Sequence, residues 1–272
     1  MKRIIGYVNT ADLNHMREED VRALTVINIA FGLIRDGEVV WDAKDARDGM
    51  VSIRKSNPEL KIVLSVGGWG ADGFSQAAGT KKGRERFAAS ALAIVKEYGL
   101  DGIDIDWEFP GMTFGSNAYD ELVDVENFTL LMKDLRAALG QSTLLTYAGY
   151  CMDKRPQGEG YKYIDVKAVD PYVDFVNIMA YDLVDAPQHQ SALNKPSNYW
   201  DCQRSVDEYL NAGVSADKLV LGIPFYGRAD FNAGGSINYR DILNLSKDDG
   251  YVIENWDTEG NVPYVTKNGS FY

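Results

Sequence analysis

A chain of 272 residues that is 45% apolar and 25% charged is long enough to bury one large core and short enough to be a single domain. Its two cysteines, Cys151 and Cys202, and two histidines, His15 and His189, are too few for a disulfide framework or a zinc site built from His and Cys. A formal net charge of -12 repels phosphate backbones and anionic lipid, which argues against nucleic acid and membrane surfaces as partners and suits a neutral ligand such as a sugar.

In chain order, the opening MKRIIGYVNTADL has two basic residues and a short apolar run broken by Asn9 and Asp12, which is not the core of a signal peptide. No stretch reaches transmembrane length. The expectation is a cytoplasmic protein, or a secreted one whose leader has been removed. Short, β-rich apolar runs then recur: RIIGYV, VINIAFG, KIVLSVGG, DGIDIDWE, LLTYAGY, VDFVNIMAYD and KLVLGIPFYG. Stretches with apolar residues at three- and four-residue spacing lie between them, including Gly83 to Tyr98, Tyr119 to Leu139 and Cys202 to Ala212, the alternation expected of βα units. The runs are nearly continuous in apolar character, as parallel strands buried on both faces require.

Several runs end in Gly, Asp, Glu or Tyr, and a (β/α)8 barrel keeps its active site at the C-terminal ends of its strands. The predicted fold is therefore an α/β, TIM-type (β/α)8 barrel that lacks its eighth strand and helix in this chain, with residues 1–272 forming one catalytic, C-terminally truncated domain. After Arg228 the sequence reads as loop.

Leu100-Asp101-Gly102-Ile103-Asp104-Ile105-Asp106-Trp107-Glu108-Phe109-Pro110 alternates acids with large apolar residues at the two-residue period of a strand. With Ile105 and Trp107 turned to the outer helices, Asp104, Asp106 and Glu108 point inward, where desolvation and mutual repulsion keep at least one proton bound near neutral pH. Glu108, nearest the mouth, is placed to protonate a leaving-group oxygen. Asp104 lies deepest, and Asp106 can share a proton with either neighbour, so the three titrate as a coupled set.

Other readings of these residues stand beside that one. An edge strand with a solvated acidic face is one, against which stand Ile, Ile, Trp and Phe opposite the acids. A magnesium or calcium site is another, but no second acidic cluster supplies further ligands. Gly67 and Gly68 suit a strand-end turn, Tyr7, Phe31 and Met179 suit a plain core, and Arg228 suits a surface cation. His189, in the polar loop DAPQHQSALN, reads as solvated and without a role.

The acids match the Asp-x-x-Asp-x-Asp-x-Glu signature of the family 18 glycoside hydrolases, which include chitinases and some endo-β-N-acetylglucosaminidases. Ser65-Val66-Gly67-Gly68, followed by Trp69, resembles that family's Ser-x-Gly-Gly motif on the third strand. Met179-Ala180-Tyr181-Asp182 resembles its Met-x-Tyr-Asp motif on the sixth, and Pro224-Phe225-Tyr226-Gly227-Arg228 resembles the end of its seventh. The resemblance runs from Ile4 to about Arg228.

It implies retaining, substrate-assisted hydrolysis of β-1,4 bonds next to N-acetylglucosamine, in chitin or chitooligosaccharides, without metal or organic cofactor. Endo-cleavage of N-glycans and non-catalytic, lectin-like chitin binding are the neighbouring possibilities. Glu108 takes the place of the general acid and then base, Asp106 and Tyr181 hold the acetamido group, and Asp104 supports Asp106. Asp182, Tyr226 and Arg228 are implied to contact the sugars. Tyr7, Phe31 and Met179 line the pocket floor beside Gly68, and Trp69 stacks on a sugar. The short segment after Arg228 leaves little room for the α+β insertion of many chitinases, which implies a shallow groove.

Overall fold

The computed structural model describes residues 2–44, 46–112, 118–151, 163–185, 187–194, 200–229, 235–245 and 247–271. The chain forms two compact units, Met1–Val176 and Asn177–Tyr272.

Unit 1 holds β1 (Ile5–Asn9), β2 (Val26–Arg35), β3 (Glu38–Val40), β4 (Lys61–Gly67), β5 (Gly102–Asp106), β6 (Leu144–Gly149) and the first half of β7 (Phe175–Ile178). The sheet order is β1-β2-β4-β5-β6-β7, and the pairings from β1 to β6 are parallel. Parallel neighbours need crossovers. These carry α1 (Glu18–Ala23), α2 (Arg47–Ser56), α3 (Phe74–Ala78), α4 (Lys81–Tyr98), α5 (Asp124–Leu139) and α6 (Val166–Val169). β3 was not foreseen; it pairs antiparallel with the end of β2.

The two-residue period of the strands divides the side chains as the sequence predicts. Ile27, Ile29, Ile62, Leu64, Ile103, Ile105 and Leu145 are fully buried. In the opposite sense, register places Asn9, Ala30, Ser65, Asp104 and Thr146 in one row across β1, β2, β4, β5 and β6. β5 lies between β4 and β6, so its acids are not those of an edge strand. Trp107 turns the other way and stacks on Phe74 of α3, with ring centroids 5.1 Å apart.

α4 begins where Thr80 accepts a hydrogen bond from Gly83 N at 3.0 Å and ends at Gly99, which is left-handed with φ 64, the residue type that conformation favours. Its buried residues Phe87, Ala88, Ala91, Ile94 and Val95 follow the helical spacing. α5 starts at Asp124 rather than Tyr119, because the Asp124 carboxylate turns back to accept from the backbone N–H groups of Asp120 and Gly111.

Unit 2 begins inside β7 and contains α7 (Cys202–Asn211), β8 (Leu219–Leu221), β9 (Tyr226–Arg228), β10 (Ser236–Asn238), α8 (Tyr239–Ile242), β11 (Tyr251–Asp257), β12 (Val262–Lys267) and β13 (Ser270–Phe271). The predicted seventh run is two strands, not one. Gly222 N donates to Ile178 O, the chain leaves the ladder at Gly222 to Phe225, and β9 pairs antiparallel with β10. The stretch after Arg228 is likewise not loop: it contains α8 and the antiparallel sheet β11-β12-β13. Among the described residues the barrel order ends at β8, with no eighth barrel strand after it. No helix among them is long and apolar enough to cross a membrane.

Candidate active site

In unit 1, the floor of the site is set by Asp104. It is fully buried, and three hydroxyl groups from three different strands donate to it. Tyr7 of β1 and Ser65 of β4 reach Oδ2 at 2.9 and 2.8 Å, and Thr146 of β6 reaches Oδ1 at 2.6 Å. Each such bond favours the charged carboxylate. The Tyr7 ring is 41% exposed while its hydroxyl turns inward onto Asp104. Burial, then the charges of Asp104 and Asp106, push that hydroxyl well above the usual phenol range, so it stays a donor at physiological pH.

Asp106 lies next along the strand and is also buried. Its Oδ1 has no hydrogen-bond partner. Burial, followed by the charges of Glu108 and Asp104, raises its carboxyl well above the ordinary aspartate range. Asp106 therefore binds its proton more tightly than an ordinary aspartate does. Glu108 follows the end of β5 and is only half-buried, at the C-terminal end of the strand where a ligand can reach it. Among the described residues, no group of three or more His, Cys, Asp or Glu side chains could hold a metal ion.

The first acid of the signature does different work. Asp101 accepts from Ile62 N and from Arg54, both at 2.9 Å, and pairs with Lys61 at 3.3 Å, joining the start of β5 to β4.

Gly67 and Gly68 are more than a turn. Gly67 has φ 119, and a Cβ there would stand 2.0 Å from the Asp106 carbonyl oxygen; Gly68 has φ 91, and its Cβ would stand 2.9 Å from the Phe31 ring. Gly68 N donates to the Asp106 carbonyl at 2.9 Å. Only glycine permits this approach in that conformation, and it sets the end of β4 against the end of β5. Phe31 is 37% exposed and Trp69 is 68% exposed, so these rings present apolar faces to solvent.

In unit 2, Met179 is buried and Tyr181 and Asp182 follow it. Asp182 has a left-handed backbone, φ 53, of the kind aspartate tolerates better than most residues. Its carboxylate accepts from the Tyr226 hydroxyl at 2.7 Å and from Arg228 at 2.7 and 2.8 Å. Tyr181 meets Tyr226 edge to face. Arg228 is therefore not a plain surface cation but a bidentate partner of Asp182. Burial and the Asp182 charge raise the Tyr226 hydroxyl, and the hydrogen bond to Asp182 raises Arg228. Both remain donors.

One residue without a sequence signal supports this cluster. Gln190 accepts from Asp182 N at 3.3 Å and donates to Tyr226 O at 3.0 Å. His189 is not solvated: its Nε2 lies 3.0 Å from Asp257 Oδ2, and its ring lies against Tyr264. In unit 1 the corresponding omission is Thr146, an ordinary strand residue until register sets it beside Asp104.

A parallel βα sheet that ends a buried acid pair in a reachable glutamate is the arrangement of a carboxylate-dependent glycoside hydrolase. The chain is similar to Chitinase A1 of Niallia circulans, with 36% identity over 203 residues, covering 65% of this chain and 28% of that protein. It is also similar to Probable chitinase 2 of Drosophila melanogaster, with 32% identity over 192 residues, covering 68% and 38%. The chain thus spans well under half the length of these relatives. A solved family 18 N-acetylglucosaminidase of Paenibacillus barengoltzii is similar in structure, with TM-score 0.86 and 32% identity, covering 97% of this chain and 85% of that one. The family model for glycosyl hydrolases family 18 matches residues 3–272, and the chain belongs to that family.

Proposed function

We propose that this chain hydrolyses β-1,4 bonds next to N-acetylglucosamine in chitin-type oligosaccharides, with retention of configuration and with the substrate's own acetamido group as nucleophile. The observation that carries the reading is the graded acid strand: Asp104 held by three hydroxyls, Asp106 buried with its proton affinity raised, Glu108 half-buried at the strand end. Most retaining glycosidases use a second carboxylate as nucleophile; substrate-assisted enzymes do not.

Glu108 donates its proton to the glycosidic oxygen as the C1–O bond breaks, and the acetamido carbonyl oxygen bonds to C1, giving an oxazolinium ion. Water then adds to C1 as the bond from C1 to the acetamido oxygen breaks, and Glu108 takes a proton from that water. Asp106 orients the acetamido group, a contribution made mainly in the transition state. In unit 2, Tyr181, Asp182, Tyr226 and Arg228 take their proposed sugar contacts from the family motifs they occupy. Asp182 acts there by fixing Tyr226 and Arg228.

The test is turnover of a fluorogenic N-acetylchitooligosaccharide by wild type and Glu108→Gln, each with and without EDTA. Release by wild type that resists EDTA, and a fall of about 10²–10⁴-fold in the variant with binding retained, is the expected result. Wild type and variant equally inactive, with both binding the oligosaccharide, would replace catalysis with sugar binding alone.

A further inference from the structure

Three hydroxyls surround Asp104, and they are not equivalent. Two share Oδ2; Thr146 occupies Oδ1, and its 2.6 Å bond is the shortest of the three, within the range of a charge-assisted O–H···O⁻ bond. Thr146 is fully buried, and strand register sets it beside Asp104. Tyr7 from β1 and Asp106 along the same strand are titratable groups that interact with Asp104, and Asp106 in turn feels the charge of Glu108. Ser65 from β4 and Thr146 from β6 complete the ring without charge.

Building on the hydrolase reading above, we propose that Thr146 is a positioning residue: its hydroxyl fixes Asp104 as the carboxylate, so that the proton kept by the acid cluster resides on Asp106, next to Glu108. Two coupled carboxyls compete for one proton, and the one with more donors releases it. Asp106 has an orphaned Oδ1 and a raised proton affinity caused first by burial. Removing the Thr146 hydroxyl makes Asp104 a rival acceptor. The cluster then takes up a further proton at higher pH, and that proton leaves Asp106 without the ionised neighbour beneath it.

The experiment compares wild type, Thr146→Val and Thr146→Ser in the pH profile of kcat/KM on the chitooligosaccharide. Thr146→Val keeps the shape and loses the donor; Thr146→Ser keeps the donor. The expected result is an acidic limb moved upward by about one pH unit in Thr146→Val and returned close to the wild-type position in Thr146→Ser. A Thr146→Val profile that is lower at every pH but keeps its acidic limb, or a limb still displaced in Thr146→Ser, overturns the proposal. Thr146→Ala serves as the donor-free variant if Thr146→Val does not fold.

Titration of the aspartate carboxyls by ¹³C NMR on the same proteins reads the cluster without turnover. If wild type shows no activity, the hydrolase reading fails, while Thr146 is still judged by whether its loss raises the pH at which a cluster carboxyl takes up its proton.

Discussion

Asp101 and Asp104 stand three residues apart in one signature and meet opposite surroundings. Asp104 receives neutral hydroxyl donors from Tyr7, Ser65 and Thr146, whereas Asp101 meets Arg54, Lys61 and the Ile62 backbone. Burial acts to raise the Asp101 carboxyl, but the Ile62, Arg54 and Lys61 contacts outweigh it, and the net shift is below the ordinary range. A carboxyl depressed on folding stabilises the protein above its unfolded value, near pH 4, and that stabilisation is lost as pH falls through the folded value. Asp101→Asn is therefore expected to cost about 1–3 kcal/mol near neutral pH, and the Tm difference from wild type should narrow below about pH 4. A difference that stays constant down to pH 2 would remove the ion-pair account. The sequence shows four acids in a fixed spacing; it does not show that the first is an anchor between strands, because Arg54 and Lys61 are 47 and 40 residues away along the chain.

Glycine separates the elements that tolerate change from those that do not. At Gly99, φ is 64 and nothing lies within 4 Å of a Cβ, whereas at Gly67 the Asp106 carbonyl oxygen lies 2.0 Å away. Gly99→Ala is expected to cost about 1 kcal/mol with turnover unchanged. Gly67→Ala should cost about 2–5 kcal/mol through backbone strain and overpacking, and should lower kcat as well, since the displaced carbonyl belongs to Asp106. Urea midpoints and steady-state kinetics on both variants decide this; equal costs at the two sites would refute it. The seven apolar runs were readable because parallel strands buried on both faces carry no polar alternation. β11 and β12 were not, because their half-buried, polar-rich alternation resembles loop composition. One signal was present: Asn268-Gly269, both with positive φ, is the two-residue hairpin turn that joins β12 to β13.

The whole chain carries a formal charge of -12, yet the proposed substrate is neutral. Steering by charge accelerates only charged ligands, and it is screened by salt. kcat/KM on a neutral chitooligosaccharide is accordingly expected to change less than about twofold between roughly 50 and 500 mM NaCl, as fluorogenic turnover at the two salt levels would show. A steep fall with salt would point to an ionic substrate contact and against a neutral glycan.

Sequence by itself determined the class of fold and the identity of the acids, because strand period, apolar continuity and the spacing of Asp101, Asp104, Asp106 and Glu108 are local properties of a chain with L-stereochemistry. Only the tertiary structure decided which acid is ringed by hydroxyl donors and which is buried with an oxygen left unpaired. That outcome depends on desolvation and on donors supplied by Tyr7, Ser65 and Thr146, which lie 97, 39 and 42 residues from Asp104 and reach it only when β1, β4 and β6 take their register in the sheet.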